Sequence, residues 1–136
     1  MTQVPETTIP AELRYGRAHA WLRLAGRTAR VGISDYAQQA LGEIIYVELP
    51  PVGKELQAGQ AGAVVESVKA ASDCVLPVSG KVTAVNGRLA AAPELVNREP
   101  YGAGWLLELE LADPGELAAL LDAAAYGALL NGLAPH

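Results

Sequence analysis

The chain has 136 residues, of which 51% are hydrophobic and 18% charged, with a formal net charge of -5 at pH 7. This is too apolar for a disordered chain, holds no run approaching the roughly 20 apolar residues that span a bilayer, and is too acidic for a ligand gripped by its phosphate backbone. One domain burying its own core is expected, with protein partners bearing basic patches and neither nucleic acid nor membrane among them. The single Cys74 cannot close an intramolecular disulfide, and two scattered histidines add no metal-ligand spacing. Residues 1–10, with Glu6 among polar neighbours, lack the basic-then-apolar order of a secretory signal, so a cytoplasmic protein is expected.

In chain order, residues 21–31 read as a hairpin turning at Ala25-Gly26. Ser34 is a good N-cap and Gly42 a stop, which predicts a short helix over 35–41. Apolar, β-branched residues 44–49 run into Pro50-Pro51, where a strand must end. Three further strands are predicted over 61–68, 74–78 and 81–85, separated by turn-formers such as Ser79-Gly80 and Asn86-Gly87. Residues 97–104 read as a Gly/Pro loop and 105–111 as a last strand. Asp113, Pro114 and Glu116 carry a helix-start signature, and Leu117, Leu120, Leu121 and Ala124 share a helical face. An amphipathic C-terminal helix covering the sheet is therefore expected from Pro114 onward. Gly127 and Gly132 set residues 126–130 apart as a separate turn. Short, regularly spaced strands predict an all-β sandwich or barrel.

The stretch most informative about chemistry is Glu66-Ser67-Val68-Lys69-Ala70-Ala71-Ser72-Asp73. A strand runs to Lys69, a polar turn reverses it, and another strand leaves, which puts the lysine at a hairpin tip within reach of another protein. The chain has three lysines, Lys54, Lys69 and Lys81. Spacing alone leaves Lys69 open between a modification site and an ordinary solvated turn lysine.

The same stretch resembles the lipoylation motif of glycine-cleavage H proteins, with Lys69 at the position that accepts lipoate through an amide bond. Similar family runs are Arg14-Tyr15 before His19 and Trp21, Val31-Gly32-Ile33-Ser34-Asp35-Tyr36-Ala37-Gln38, Leu41-Gly42-Glu43 leading into Ile44-Ile45-Tyr46-Val47-Glu48-Leu49-Pro50, Pro93-Glu94-Leu95-Val96-Asn97, and Pro100-Tyr101-Gly102-Ala103-Gly104-Trp105. Biotin carriers place methionines on both sides of their lysine, and lipoyl domains of 2-oxoacid dehydrogenases usually place Asp before it. Val68 and Ala70 stand here instead.

The resemblance implies a mainly β, lipoyl-domain-like barrel-sandwich hybrid, a flattened barrel with a short internal helix and a C-terminal amphipathic helix. It divides the chain into an N-terminal extension, 1–12, and a lipoyl-binding domain, 13–131. It implies a monomeric, non-catalytic carrier whose lipoyl arm, attached by a lipoate ligase or lipoyl transferase, carries an aminomethyl intermediate between glycine decarboxylase, aminomethyltransferase and dihydrolipoamide dehydrogenase. Such a tethered intermediate meets its next enzyme without release into solvent. Glu66 and Asp73 would flank the modified site, Ser67 would be a further residue of the cofactor site, and Asp73 would also belong to the surface receiving the loaded arm. Consistent with a carrier, no nucleophile–base pair, phosphate loop or metal cluster is visible.

One departure matters. The family usually reads His-Glu-Trp where this chain reads His19-Ala20-Trp21, and that glutamate helps hold the cationic aminomethyl group. Its absence opens a second reading, an H-like lipoate carrier of bacterial sulfur oxidation serving a heterodisulfide-reductase-like complex. A third reading is an unmodified binding module. His19 is a candidate for the arm's cleft or for a structural role beside Trp21. Cys74 reads as a buried small hydrophobe more than a thiol for the dithiolane, and Trp21, Tyr101 and Trp105 as core or loop anchors. Glu43, Glu48, Glu66 and Asp73 form a docking face or are scattered solvated carboxylates.

Overall fold

The computed structural model describes residues 7–133. Residues 1–6 of the expected extension, and 134–136, lie outside the described residues. Nine strands follow in order: β1 Arg14–Tyr15, β2 Ala20–Ala25, β3 Thr28–Ile33, β4 Ile44–Glu48, β5 Glu55–Leu56, β6 Ala61–Ser67, β7 Ala71–Val75, β8 Gly80–Val85 and β9 Leu107–Leu111. Helix α1, Asp35–Leu41, precedes β4; α2, Leu95–Arg98, precedes β9; and α3, Ala123–Leu133, closes the chain.

The strands form two antiparallel sheets, one of six strands in the order β1-β2-β3-β9-β8-β5 and one of three in the order β4-β6-β7. The molecule is thus the expected mainly β, lipoyl-domain-like hybrid, as two facing sheets and not a closed barrel. Alternation along the strands supplies the layer between them: Ala20 and Leu22 of β2, Ala29, Val31 and Ile33 of β3, Val65 of β6 and Leu107 and Leu109 of β9 are all buried in one cluster. Trp21 points the other way, into a second cluster with Leu13, Tyr15, Tyr126 and Leu130. The indole lies flat on Gly32, where any Cβ would stand 2.7 Å from the ring, and donates to the Pro100 carbonyl at 2.9 Å.

The C-terminal segment departs from expectation. Residues Pro114–Ala119 form a 3₁₀ turn, and α3 begins only at Ala123, so the predicted turn at 126–130 lies inside the helix and the predicted helix start does not. Asp113 does cap, accepting from Gly115 N, but Glu116 does not close a capping box. Its carboxylate takes the Ser79 N–H at 2.7 Å and the Ser79 hydroxyl at 3.0 Å instead. Leu121 then pairs with Tyr15 through two backbone hydrogen bonds of 2.8 Å, which holds it extended. Asp122 restarts the helix by accepting from Ala125 N. Gly127 and Gly132 are tolerated because Tyr126 and Leu130 of the same helix are fully buried.

Smaller differences have local causes. The first hairpin turns on Gly26-Arg27, since Ala25 pairs with Thr28 and Gly26 has φ of 62°. β7 starts at Ala71, three residues earlier than expected, because the turn before it is tighter than the sequence suggests. The expected loop at 97–104 starts late, because residues 97 and 98 still belong to α2, Leu95–Arg98. The short strands β1 and β5 carry no alternation long enough to read.

Candidate functional site

The β6–β7 hairpin closes with Ser67 N donating to Ala70 O at 2.7 Å, leaving Val68 and Lys69 as its tip. Ser67 builds this turn with its side chain. Its hydroxyl oxygen accepts from Lys69 N (3.3 Å) and Ala70 N (3.1 Å) while the hydroxyl donates to Ala70 O (3.1 Å). This is the role that small hydroxyl residues play in ordering turns, and it fixes the backbone of an otherwise exposed lysine. Replacing Ser67 by alanine is expected to cost about 1 kcal/mol, as loss of a local side-chain cap does, and to slow any enzyme that must find Lys69 in one geometry. Urea unfolding and a modification time course read the two effects separately.

The tip rests on the end of α1. Val68 N donates to the Glu43 carbonyl at 3.1 Å, and Lys69 Cε lies 3.7 Å from where a Cβ on Gly42 would stand. Gly42 ends α1 with φ of 81°, a conformation that suits glycine, and its bare backbone leaves room for the lysine stem. Asn97 of α2 holds this platform. Its Oδ1 accepts from Ile44 N (2.8 Å) and its Nδ2 donates to Gly42 O (2.8 Å) and Gln38 Oε1 (2.9 Å), so one side chain ties α1, Gly42 and β4 together.

Beside the platform a cleft of about 250 Å³ opens between α1 and β7. Ile33, Tyr36, Ala37, Leu41 and Val65 make it apolar, and His19, Ser72 and Asp73 border it, Asp73 only at the rim, because its register opposite Val64 sets its side chain on the outer face of the small sheet. His19 reaches it from a left-handed backbone (φ 76°), pinned by His19 N to Gly16 O at 3.1 Å and by Ser34 N to His19 O at 2.8 Å. Its Nδ1 lies 2.8 Å from the Tyr126 hydroxyl, which lies 2.6 Å from the Ser34 hydroxyl, while Ser34 Oγ accepts from Ala37 N. Ser34 is fully buried, so its proton needs an acceptor; the assignment that supplies one has Ser34 donating to Tyr126 and Tyr126 donating to a neutral His19 Nδ1.

Protonating His19 would break that chain, and burial lowers its pKa from 6.5. Between that lowered value and 6.5 the unfolded chain binds more protons than the folded one. Stability is therefore whole above pH 6.5 and is lost as pH falls through the folded value. Thermal melts from pH 7.5 to 5 should show this decline, and His19→Gln should flatten it. Burial also pushes the Tyr126 hydroxyl up to about 12 and the Cys74 thiol up to about 12, so both stay protonated and Cys74, 2% exposed, is an inert core residue.

The structure thus brings Lys69, Ser67, His19 and Asp73 around one platform and cleft. Glu66 is separate from the cleft, on the outer face of the small sheet opposite Tyr46 and Ala71. Ala20 is buried between the sheets and does not line the cleft. Sequence reasoning missed Asn97, Gly42, Ser34 and Tyr126 as parts of the site. Asn97 and Gly42 stood in quoted motifs, whereas Tyr126, more than 90 residues from Ser34, carried no local signal. Among the described residues no group of acidic, cysteine or histidine side chains could hold a metal, and no helix is long and apolar enough to cross a membrane.

Residues 13–132 match the family model described as glycine cleavage H-protein. The chain belongs to the glycine cleavage H-protein family. It is 56% identical over 126 residues to the glycine cleavage system H protein of Opitutus terrae, covering 92% of this chain and 99% of that protein. It is 52% identical over 120 residues to the one from Symbiobacterium thermophilum, covering 88% and 94%. A crystal structure of a glycine cleavage system H protein from Mycobacterium marinum superposes with a TM-score of 0.81 at 36% identity, over 88% of this chain and 97% of that one. Membership in the H-protein family agrees with a carrier role.

Proposed function

We propose that this chain is the lipoyl carrier of a glycine cleavage system, with lipoate amide-linked to Lys69. The observation that carries the reading is the placement of Lys69. It is an exposed lysine at a side-chain-ordered hairpin tip, seated over a bare glycine and next to an apolar cleft. These residues fit the group: a lipoyl-lysine is a long apolar arm, the cleft beside its root is apolar, and Ser67 holds the root without covering it. When bound, lipoate supplies a dithiolane that can be reduced, carry an aminomethyl group and be reoxidised. His19, whose pKa burial lowers, limits like charge in the cleft, and the Asp73 carboxylate stands just outside it, on the outer face of the small sheet.

In this reading residues 13–131 are the carrier domain and 1–12 its extension, whose described part packs on the domain through Thr8 N to Asp35 Oδ2 at 2.9 Å. The protein works in the cytoplasm as a monomer. Its partners are a lipoate ligase or lipoyl transferase, then glycine decarboxylase, aminomethyltransferase and dihydrolipoamide dehydrogenase. The sulfur-oxidation alternative rested on Ala20. The relatives at 52–56% identity carry the glycine cleavage name, which favours the aminomethyl cargo. The test is glycine–bicarbonate exchange: lipoylated protein with a decarboxylase of the same organism should support it. Lipoylated protein that fails while a homologous H protein succeeds would exclude the glycine assignment.

A further inference from the structure

Five large apolar side chains are exposed among the described residues, and three of them, Ile45 (50%), Tyr46 (52%) and Val68 (66%), flank the lysine tip. Ile45 and Tyr46 face solvent in succession because β4 carries a bulge: Ile44 pairs with Ser67 and Tyr46 with Glu66, so Ile45 is an extra residue on an edge strand. A bulge of this kind re-aims side chains, commonly beside functional sites, at the cost of exposing apolar area. The register also sets the outer face of the small sheet. One row across β4, β6 and β7 is Tyr46, Glu66, Ala71, and the next is Glu48, Val64, Asp73. Three carboxylates thus stand around Val64, with Tyr46 and Ile45 beside them on the edge strand, and Lys69 is the one cation in these strands or their tip.

We propose that this outer face, with Tyr46 and Ile45 exposed along its β4 edge, is the docking surface for the enzyme that acylates Lys69, a partner with an apolar notch flanked by arginine or lysine. The proposal rests on the lipoyl-carrier reading. The occupant follows from reach and charge. An unmodified lysine is a short stem, and the Lys69 Cε lies low over Gly42. The acyl donor, an acyl adenylate, must therefore be brought against the tip itself. Neutral Lys69 Nζ adds to the acyl carbonyl, the amide C–N bond forms, the C–O bond to phosphate breaks, and AMP leaves with that electron pair while the amine proton passes to solvent. An enzyme delivering that carbonyl must lie against a face of the hairpin. The inner face is core, and the outer one is open, with exposed apolar side chains along β4 set beside Glu48, Glu66 and Asp73. Tyrosine is a residue type that anchors such contacts, and rim charges speed encounter.

The test is lipoylation of full-length apoprotein by a purified lipoate ligase, followed by intact mass. Tyr46→Ser and Val68→Ser should each raise KM and lower kcat/KM about tenfold, as loss of an interface anchor does, leaving kcat unchanged. Leu24→Ser and Val52→Ser, which remove exposed apolar side chains elsewhere, should stay within about twofold. Wild-type kcat/KM should fall as salt is added. Val68 lies outside every strand ladder, so its variant reports on docking even if the Tyr46 variant loosens the sheet. Equal rates for all four variants would overturn the docking face and leave the carrier reading intact. Failure of wild type to gain a lipoyl group at Lys69 would overturn both. A concentration-dependent dimer abolished by Tyr46→Ser would assign the face to self-association and overturn the proposal.

Discussion

Replacing Lys69 by arginine is expected to abolish covalent modification while leaving the fold untouched. Arginine keeps the charge and nearly the length, so the tip still closes through Ser67 and the stem still passes over Gly42. It has no primary amine that deprotonates at accessible pH, so the amide has no nucleophile. Lys54 and Lys81 are also exposed, but neither sits at the tip of the β6–β7 hairpin. Intact mass after expression with a lipoate ligase should show one lipoyl increment on wild type and none on Lys69→Arg, with melting temperatures that coincide. A lipoyl increment persisting on the arginine variant would move the attachment elsewhere and remove the basis of the proposed function.

The second large effect is expected at Asn97. Its replacement by alanine removes three hydrogen bonds and leaves Ile44 N, whose residue is 2% exposed, without its acceptor. A net contribution of about 1 kcal/mol per bond and a desolvation penalty for the stranded donor place the loss at about 2–4 kcal/mol. The consequence reaches the site, because Asn97 anchors Gly42, over which the lysine stem lies, and the α1 helix that walls the cleft. Urea unfolding should show the loss, and hydrogen exchange should show it concentrated at residues 38–45. Asn97→Asp, which keeps the acceptor for Ile44 N and loses the donor, should fall between alanine and wild type.

Much of this architecture is written locally. Alternation places Ala20, Leu22, Val31 and Leu109 on buried faces, Ser34 caps α1 as a short polar residue before a helix should, and Gly42 ends it. The lysine tip was legible because strand, turn and strand are each encoded by neighbouring residues, and the surrounding motif pointed to the H-protein family. The C-terminal segment was misread for an equally specific reason. Asp113-Pro114 with Glu116 is the same signal whether a full helix or one 3₁₀ turn follows. The choice fell to Ser79, which drew Glu116 away, and to Tyr15, whose backbone captured Leu121.

What the sequence determined alone is therefore the set of local events: strands, turns, caps, the exposed lysine and its family. The tertiary structure decided which distant groups meet. His19 and Tyr126 are 107 residues apart, Ser34 and Tyr126 are 92, and Asn97 reaches back 53 to Ile44. The bulge that turns both Ile45 and Tyr46 outward exists only once β4 is in register with β6. Periodicity reports which face of an element is apolar, because that depends on neighbours along the chain. It does not report which buried polar group completes another's hydrogen bonds, because that partner is chosen only when two sheets and three helices close around the same space.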